Sequence, residues 1–262
     1  ERGETWDLKD PHESSVRESI PARNLWQQIL ETRYRTGEPY LNFIDTANRA
    51  LPHTMKAKGL KIHGSNLCNE IHLPTSEDRT AVCCLSSVNL EHYDAWSKQP
   101  LFLKDMAEML DNVLQYFIEN APDAVSRAKF SAQRERSIGI GALGFHAYLQ
   151  KNSIAWETPQ AKGTNIRMFR HIKGKLDEAN LEIGKERGEA LDAKGTGRRF
   201  SHVMAIAPNA SSSIIMGNTS PSIEPFRANA YRQDTLSGSY LNKNKHLDGL
   251  IKNMVEENKK LD

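Results

Sequence analysis

Long amphipathic helices alternate with short apolar segments along this chain, and that alternation limits its folds more than any other feature. Leu103, Met106, Leu110, Val113, Leu114 and Phe117 recur at three- and four-residue intervals, so 101–120 is predicted as a helix, with Pro122 to stop it. A second helix is predicted over 166–183, with Phe169, Ile172, Leu176 and Ile183 on one face. A third follows Pro21, carries Leu25, Trp26, Ile29 and Leu30 on one side, and stops at Gly37. Strands are predicted at 40–44 (YLNFI), 80–90 (TAVCCLSSVNL) and 202–207 (HVMAIA). Strands separated by helices imply an α/β fold with a largely parallel sheet. Such sheets usually carry their sites beyond the carboxyl ends of the strands. The polar stretch 192–199 (DAKGTGRR) reads as a surface loop, and the Lys/Asn/Glu-rich stretch from Asn242 as a solvated helix.

Composition narrows the function classes. With 35 Lys and Arg against 33 Asp and Glu in 262 residues, the formal charge is +2. Nothing in that balance favours nucleic acid or an anionic membrane. The longest apolar run, 138–145, is too short to span a bilayer, and residues 1–24 hold no apolar signal region. Three cysteines are too few for a disulfide scaffold, so a reducing, cytoplasmic location is expected.

Four local patterns could carry chemistry. Gly139, Gly141 and Gly144 match the dinucleotide pattern G-x-G-x-x-G. They follow QRERS rather than an apolar strand, so small residues permitting close helix packing explain them better than a cofactor does. In 65–73 (SNLCNEIHL), Asn66, Cys68 and Glu70 alternate. On an extended backbone these amide, thiol and carboxylate groups would face one space, suited to redox or acid–base work; on spacing alone, a lone Cys such as Cys68 is more often a small buried apolar residue. Cys83 and Cys84 would point to opposite faces of a strand, leaving at most one to face Cys68 and the other in the core. No zinc-type spacing joins the three Cys and nine His, so no metal site is expected, His63 and His72 included. In PNASSS (208–213), Asn209 and the serines are good N-cap residues after a short strand, and a helix start there would suit a phosphate or be an ordinary cap. The polar, proline-containing stretch 218–230 beyond it is predicted to be an ordered loop.

Taken together, SNLCNEI (65–71), AVCCLSSVNL (81–90), SIGIGALG (137–144), APNASSSIIMGNTSPSIEPFRANA (207–230) and LSGS (236–239) resemble the large, catalytic subunit of class I ribonucleotide reductase. The resemblance runs over nearly the whole chain. It implies part of a ten-stranded α/β barrel with a central finger loop carrying Cys68, and reduction of ribonucleoside diphosphates to deoxyribonucleoside diphosphates by thiyl-radical chemistry. Cys68 would abstract the ribose 3′-hydrogen, Glu70 would act as base for the 3′-hydroxyl, Asn66 would polarise the substrate, and Cys83 would be one of two reducing thiols. Asn66, Leu67, Cys68, Asn69 and Glu70 would line the substrate, and Pro208, Asn209, Ala210, Ser211 and Ser212 would bind its diphosphate. No cofactor would be bound directly by this chain. The radical would come from a metal-containing small subunit, electrons from thioredoxin or glutaredoxin, and allosteric control from nucleotide effectors held elsewhere in the large subunit.

The resemblance has gaps. Residues 1–67 contain no Cys to match the family's upstream reducing thiol. The effector-binding cone, the radical-relay tyrosine pair and the C-terminal redox cysteines are unmatched too. Residues 1–262 are therefore expected to be an internal portion of the catalytic barrel, incomplete at both ends, inactive alone and dependent on the remaining large-subunit portions. Two rival readings stand beside this one: a structural or assembly piece of the same family, and a nicotinamide-dependent dehydrogenase resting on the three glycines.

Overall fold

The computed structural model describes residues 3–235 and 238–259, in two compact units, Glu1–Ile44 and Asp45–Asp262. The first unit opens with an antiparallel hairpin, β1 (Thr5–Lys9) and β2 (Val16–Pro21), in a segment whose sequence reads as broken and polar. Asp10 organises its turn: Oδ1 accepts from the backbone N–H of His12 (2.8 Å) and Glu13 (3.1 Å), and Arg17 pairs with the same carboxylate. Helix α1 (Ala22–Thr36) follows Pro21 and ends where expected. Gly37 adopts φ +81° and its N–H donates to the Arg33 carbonyl at 2.8 Å, the left-handed closure that glycine makes cheaply. The strand expected at 40–44 does not form. Residues 40–43 are irregular, and Ile44 opens α2 (Ile44–Ala50), which carries Asp45 in its first turn, where a negative charge favours a helix start. A short apolar run without alternation does not by itself choose between strand and helix.

The second unit continues through α3 (His53–Ala57) to the parallel pair that organises it. Strand β3 (Cys84–Asn89) is shorter than the 80–90 expected, and after α4 (Tyr93–Trp96), α5 (Phe102–Asn120) and α6 (Ser126–Glu135) it pairs in parallel with β4 (Ile138–Leu143). Every residue of β4 is buried. The stretch 202–207, predicted as a strand, runs beside β4: Ile138 N donates to the His202 carbonyl (3.1 Å) and Ile140 N to Val203 (3.0 Å). Two residues of β4 thus oppose one of its neighbour, so the ladder is irregular and 202–207 has no regular strand.

The glycines explain how the three segments lie so close. A methyl at Gly139 would sit 2.4 Å from Leu85 Cδ2 and 2.8 Å from Ala205 Cβ, and one at Gly141 would sit 2.4 Å from the Ala205 carbonyl oxygen. The glycine pattern therefore lies inside a strand and permits strand-to-strand contact, not the helix packing expected from sequence. Gly144, at φ +77°, starts α7 (Phe145–Lys151).

Helices α5 and α8 (Pro159–Arg187) cover this pair. The α5 stripe is as predicted at Leu103, Leu110 and Leu114, all buried, whereas Val113 is exposed. Helix α8 begins earlier than predicted because Thr158 caps it, accepting from Ala161 N at 3.2 Å, and Pro159 suits the first turn. Its buried face, Met168, Ile172, Leu176 and Ile183, joins Val88, Ile138, Ile140 and Phe200 in one core.

The 192–199 loop is not wholly a surface loop. Asp192 is fully buried, paired with Arg79 (2.8 Å), Lys58 (3.2 Å) and Arg134 (3.1 Å). Beyond it come α9 (Ala210–Ile215), the hairpin β5 (Ala230–Thr235) and β6 (Gly238–Lys243), and α10 (Lys245–Asn258). The hairpin is a further addition to the predicted elements; it takes Asn242 and Lys243 out of the C-terminal helix, which starts at the Asn244 cap instead. Leu236 and Ser237 of the LSGS stretch lie outside the described residues. Among those residues the one parallel ladder is β3–β4, so the ten strands implied by the resemblance are not counted within them. No described helix is long and apolar enough to cross a membrane.

Candidate active site

The Cys68 segment is a closed loop rather than an extended strand. Asn66 N donates to the Ile71 carbonyl (3.3 Å), Ile71 N donates to Asn66 Oδ1 (3.0 Å), and Asn69 N donates to the Asn66 carbonyl (3.1 Å). Asn69 takes φ +64°, a left-handed conformation that Asn tolerates better than most residues. This turn breaks the alternation expected of Asn66, Cys68 and Glu70, and the three side chains part company. Asn66 spends its carbonyl oxygen on the loop's own closure. Leu67, 91 % exposed, and Cys68, also exposed, form the tip. Glu70 turns into the unit.

There Glu70 meets Cys83. Both line a cavity of about 180 Å³, together with His72, Ser137, Gly139 and His202. Cys83 is exposed overall, but partial burial of its thiol, and then the negative charge of Glu70, push the thiol above its ordinary range. Cys83 therefore stays protonated at neutral pH. Glu70 Oε2 and Asn69 Oδ1 are buried and have no hydrogen-bond partner among the described residues. Cys84 begins β3 and packs against the core, as the sequence suggested for one of the two adjacent thiols. All three cysteines are free thiols.

Two cavity residues lie outside the sequence-based site. Ser137 Oγ and His202 Nδ1 are 2.9 Å apart, and burial lowers the His202 pKa to about 4, so the ring is neutral. They are 65 positions apart and meet only because 202–207 lies against β4, a juxtaposition no local pattern encodes. His63, considered with His72 from sequence, sits 3.3 Å from Thr75 Oγ1 through Nδ1.

The cavity lies at the amino ends of β3 and β4, opposite to where parallel sheets usually carry sites. The carboxyl ends are occupied by the start of α9. Asn209 sits at the N-cap position of α9, as its residue type suggests, but its side chain makes no capping hydrogen bond. Its Nδ2 donates to the carbonyls of Ala207 (2.8 Å) and Ala142 (3.3 Å) and to Ser87 Oγ (3.1 Å), tying β3, β4 and the 202–207 segment together. Pro208, Ala210, Ser211 and Ser212 are exposed beside it. Ala210 shares a cleft of about 650 Å³ with Arg227, Tyr231 and Arg232, from the stretch predicted as an ordered loop and the strand after it.

Comparison with known proteins settles the kinship. The family model described as ribonucleotide reductase, barrel domain, matches residues 4–193 and 189–262. The chain belongs to the ribonucleotide reductase barrel-domain family. It is 57 % identical, over 97 % of its length, to the ribonucleoside-diphosphate reductase large subunit of Invertebrate iridescent virus 3, and spans 40 % of that protein. It is 29 % identical to the large subunit of Caenorhabditis elegans over 93 % of the chain and 34 % of the relative. Among solved structures it resembles the class Id ribonucleotide reductase alpha subunit of Actinobacillus ureae, with TM-score 0.81 and 40 % identity, covering 88 % of this chain and 43 % of that one. The chain thus spans well under half the length of these reductase relatives, and its own glycine pattern serves strand packing within the shared domain.

Proposed function

We propose that this chain is part of the catalytic barrel of a ribonucleoside-diphosphate reductase large subunit, and that residues 1–262 form a portion of that one domain. The observation that carries the reading is the shared cavity of Glu70 and Cys83, with Cys68 two residues before Glu70 at the exposed tip of the same closed loop. A carboxylate, a protonated thiol and a second thiol on a short closed loop are the groups the reaction requires. The small subunit supplies the radical that Cys68 holds as a thiyl. Sulfur suits this because its S–H bond is weak, so Cys68 can take the ribose 3′-hydrogen and later return it. Glu70 accepts the 3′-hydroxyl proton, easing departure of the 2′-hydroxyl as water. Cys83 and a second thiol lose two electrons and two protons and end as a disulfide. The substrate ribonucleotide becomes a deoxyribonucleotide, with one water released. Thioredoxin or glutaredoxin then restores the thiols, which fits a reducing compartment such as the cytoplasm.

Asn66, Leu67 and Asn69 complete the substrate side of the loop in this reading. The amide nitrogen of Asn66 is left for substrate, since its oxygen closes the loop. Pro208, Asn209, Ala210, Ser211 and Ser212 hold the diphosphate in this reading; Ala210 borders a cleft that Arg227 and Arg232 also line, with Glu224 among them. From Gly139 at the cavity to Ala142 beside Asn209 is about 10 Å at ~3.3 Å per residue, the reach of a ribose bearing a diphosphate.

The test is reconstitution with the remaining large-subunit portions, a small subunit and a dithiol reductant. The chain with its native residues is expected to support deoxynucleotide formation, and Cys68→Ser to abolish it while preserving assembly. Turnover surviving in Cys68→Ser overturns the radical assignment. Assembly with partner chains but no turnover, even with native residues, favours the structural role.

A further inference from the structure

The cavity has a polar wall that the reaction above leaves unused. Ser137 is buried, and its hydroxyl meets His202 Nδ1 at 2.9 Å. Ser137 and His202 line the same cavity as Glu70, whose Oε2 is buried and lacks a partner among the described residues. A buried carboxylate oxygen left without a donor is costly. A polar cavity of about 180 Å³ has room for several water molecules, each able to bridge a donor to an acceptor.

We propose that the Ser137–His202 pair positions and sustains the Glu70 carboxylate. Ser137 O–H donates to Nδ1, which fixes the ring proton on Nε2. The Nε2–H then supplies, through cavity water, the hydrogen bond that Glu70 Oε2 does not receive from the protein. A neutral imidazole is the form this role requires, and the burial of His202 keeps it neutral. The other ionisable groups lining the cavity are His72 and Cys83. Cys83 stays protonated beside the carboxylate, so it offers no competing negative charge. His202 is a positioning residue here: it acts on substrate only through Glu70, and the inference rests on Glu70 being the base.

Carbon-13 carboxyl NMR titration of the full chain tests this, with the Glu70 signal identified by its loss in Glu70→Gln. His202→Leu removes the donor and is expected to raise the pH at which Glu70 binds its proton by about one unit, a tenfold gain in proton affinity. His202→Gln keeps an N–H donor and is expected to leave that pH nearly unchanged. Ser137→Ala releases the ring tautomer and is expected to shift it the same way as His202→Leu, by about threefold in affinity. An unshifted Glu70 in His202→Leu overturns the proposal, as does an equal shift in His202→Gln. If His202→Leu does not fold, Ser137→Ala decides: a shift supports the pairing and no shift refutes it. Turnover of reconstituted Glu70→Gln separates the two readings, because full activity there removes the base assignment whatever the carboxyl titration shows.

Discussion

Replacing Gly141 by alanine puts a methyl carbon 2.4 Å from the Ala205 carbonyl oxygen, 3.1 Å from Ser87 Oγ and 3.3 Å from Ala207 N. Two of these three atoms are backbone, so no side-chain rotation relieves the contact; β4 or the 202–207 segment must move by about an ångström. Overpacking of this kind costs about 1–3 kcal/mol, and the rigid partners put Gly141→Ala near the top, at about 3 kcal/mol. Gly139→Ala meets the flexible end of Leu85 first, then Ala205 Cβ, and belongs nearer 2 kcal/mol. Gly174, within α8, has nothing within 4 Å of its added methyl, and Gly174→Ala should stabilise by about 1 kcal/mol through helix propensity alone. Thermal unfolding followed by circular dichroism reads these as a fall of roughly 6–12 °C for Gly141→Ala and a small rise for Gly174→Ala. A Gly141→Ala protein unfolding within a degree of its parent would refute the close-packing account. Nicotinamide cofactor titrations, expected to show no binding to either protein, test the rival reading of the same glycines.

Other consequences can be measured on the same chain. Asp111 is buried and holds Arg136 (2.6 Å), Arg187 (3.1 Å) and Arg199 (3.1 Å), so Asp111→Ala leaves buried positive charge unpaired and should cost about 3–5 kcal/mol by urea unfolding. Asn209→Ala removes an amide whose two N–H groups are shared among three acceptors, for about 2 kcal/mol by the same measurement. The half-buried His202 and the buried Glu135 give opposite pH slopes. His202 falls from 6.5 to about 4 on folding, so its contribution, about 3 kcal/mol, is present above pH 6.5 and lost as pH drops toward 4. Glu135 rises from 4.5 to about 7 because it is buried, so its contribution is present below pH 4.5 and lost as pH rises toward 7. Unfolding free energies measured between pH 4 and 7 should therefore climb more steeply with pH in Glu135→Gln than in the parent, and an unchanged slope would contradict the assignment.

The parts of the fold legible in the sequence are those decided by local periodicity. The α5 stripe, the Gly37 stop and the family motifs could be read directly, because each depends on neighbours within a few residues. The Thr158–Pro159 start of α8 was also present as a capping signal, although the apolar stripe alone begins later. Tyr40 to Ile44 misled because a short apolar run suits either element, and the next residue, Asp45, favours a helix start. The Asn66–Cys68–Glu70 alternation failed for one residue's backbone: Asn69 turns left-handed, sending Glu70 inward and leaving Cys68 at the tip. The pairing of Ser137 with His202 had no local signal at all, since it exists only where 202–207 meets β4.

The cavity's composition also has a kinetic side. Glu70 and His202 stand 132 positions apart in the chain, with Cys83 and Ser137 between them. Closing a loop of that length costs about 4 kcal/mol of chain entropy before any contact repays it. The β3–β4 pairing spans a shorter separation and gives 202–207 the edge on which to settle, so the cavity is completed late in folding. Cys68 and Cys83 are exposed and Cys84 half-buried even in the folded chain, so all three are open to pairing with one another or with other chains throughout folding. A thiol reductant during refolding is therefore expected to raise the yield of folded chain.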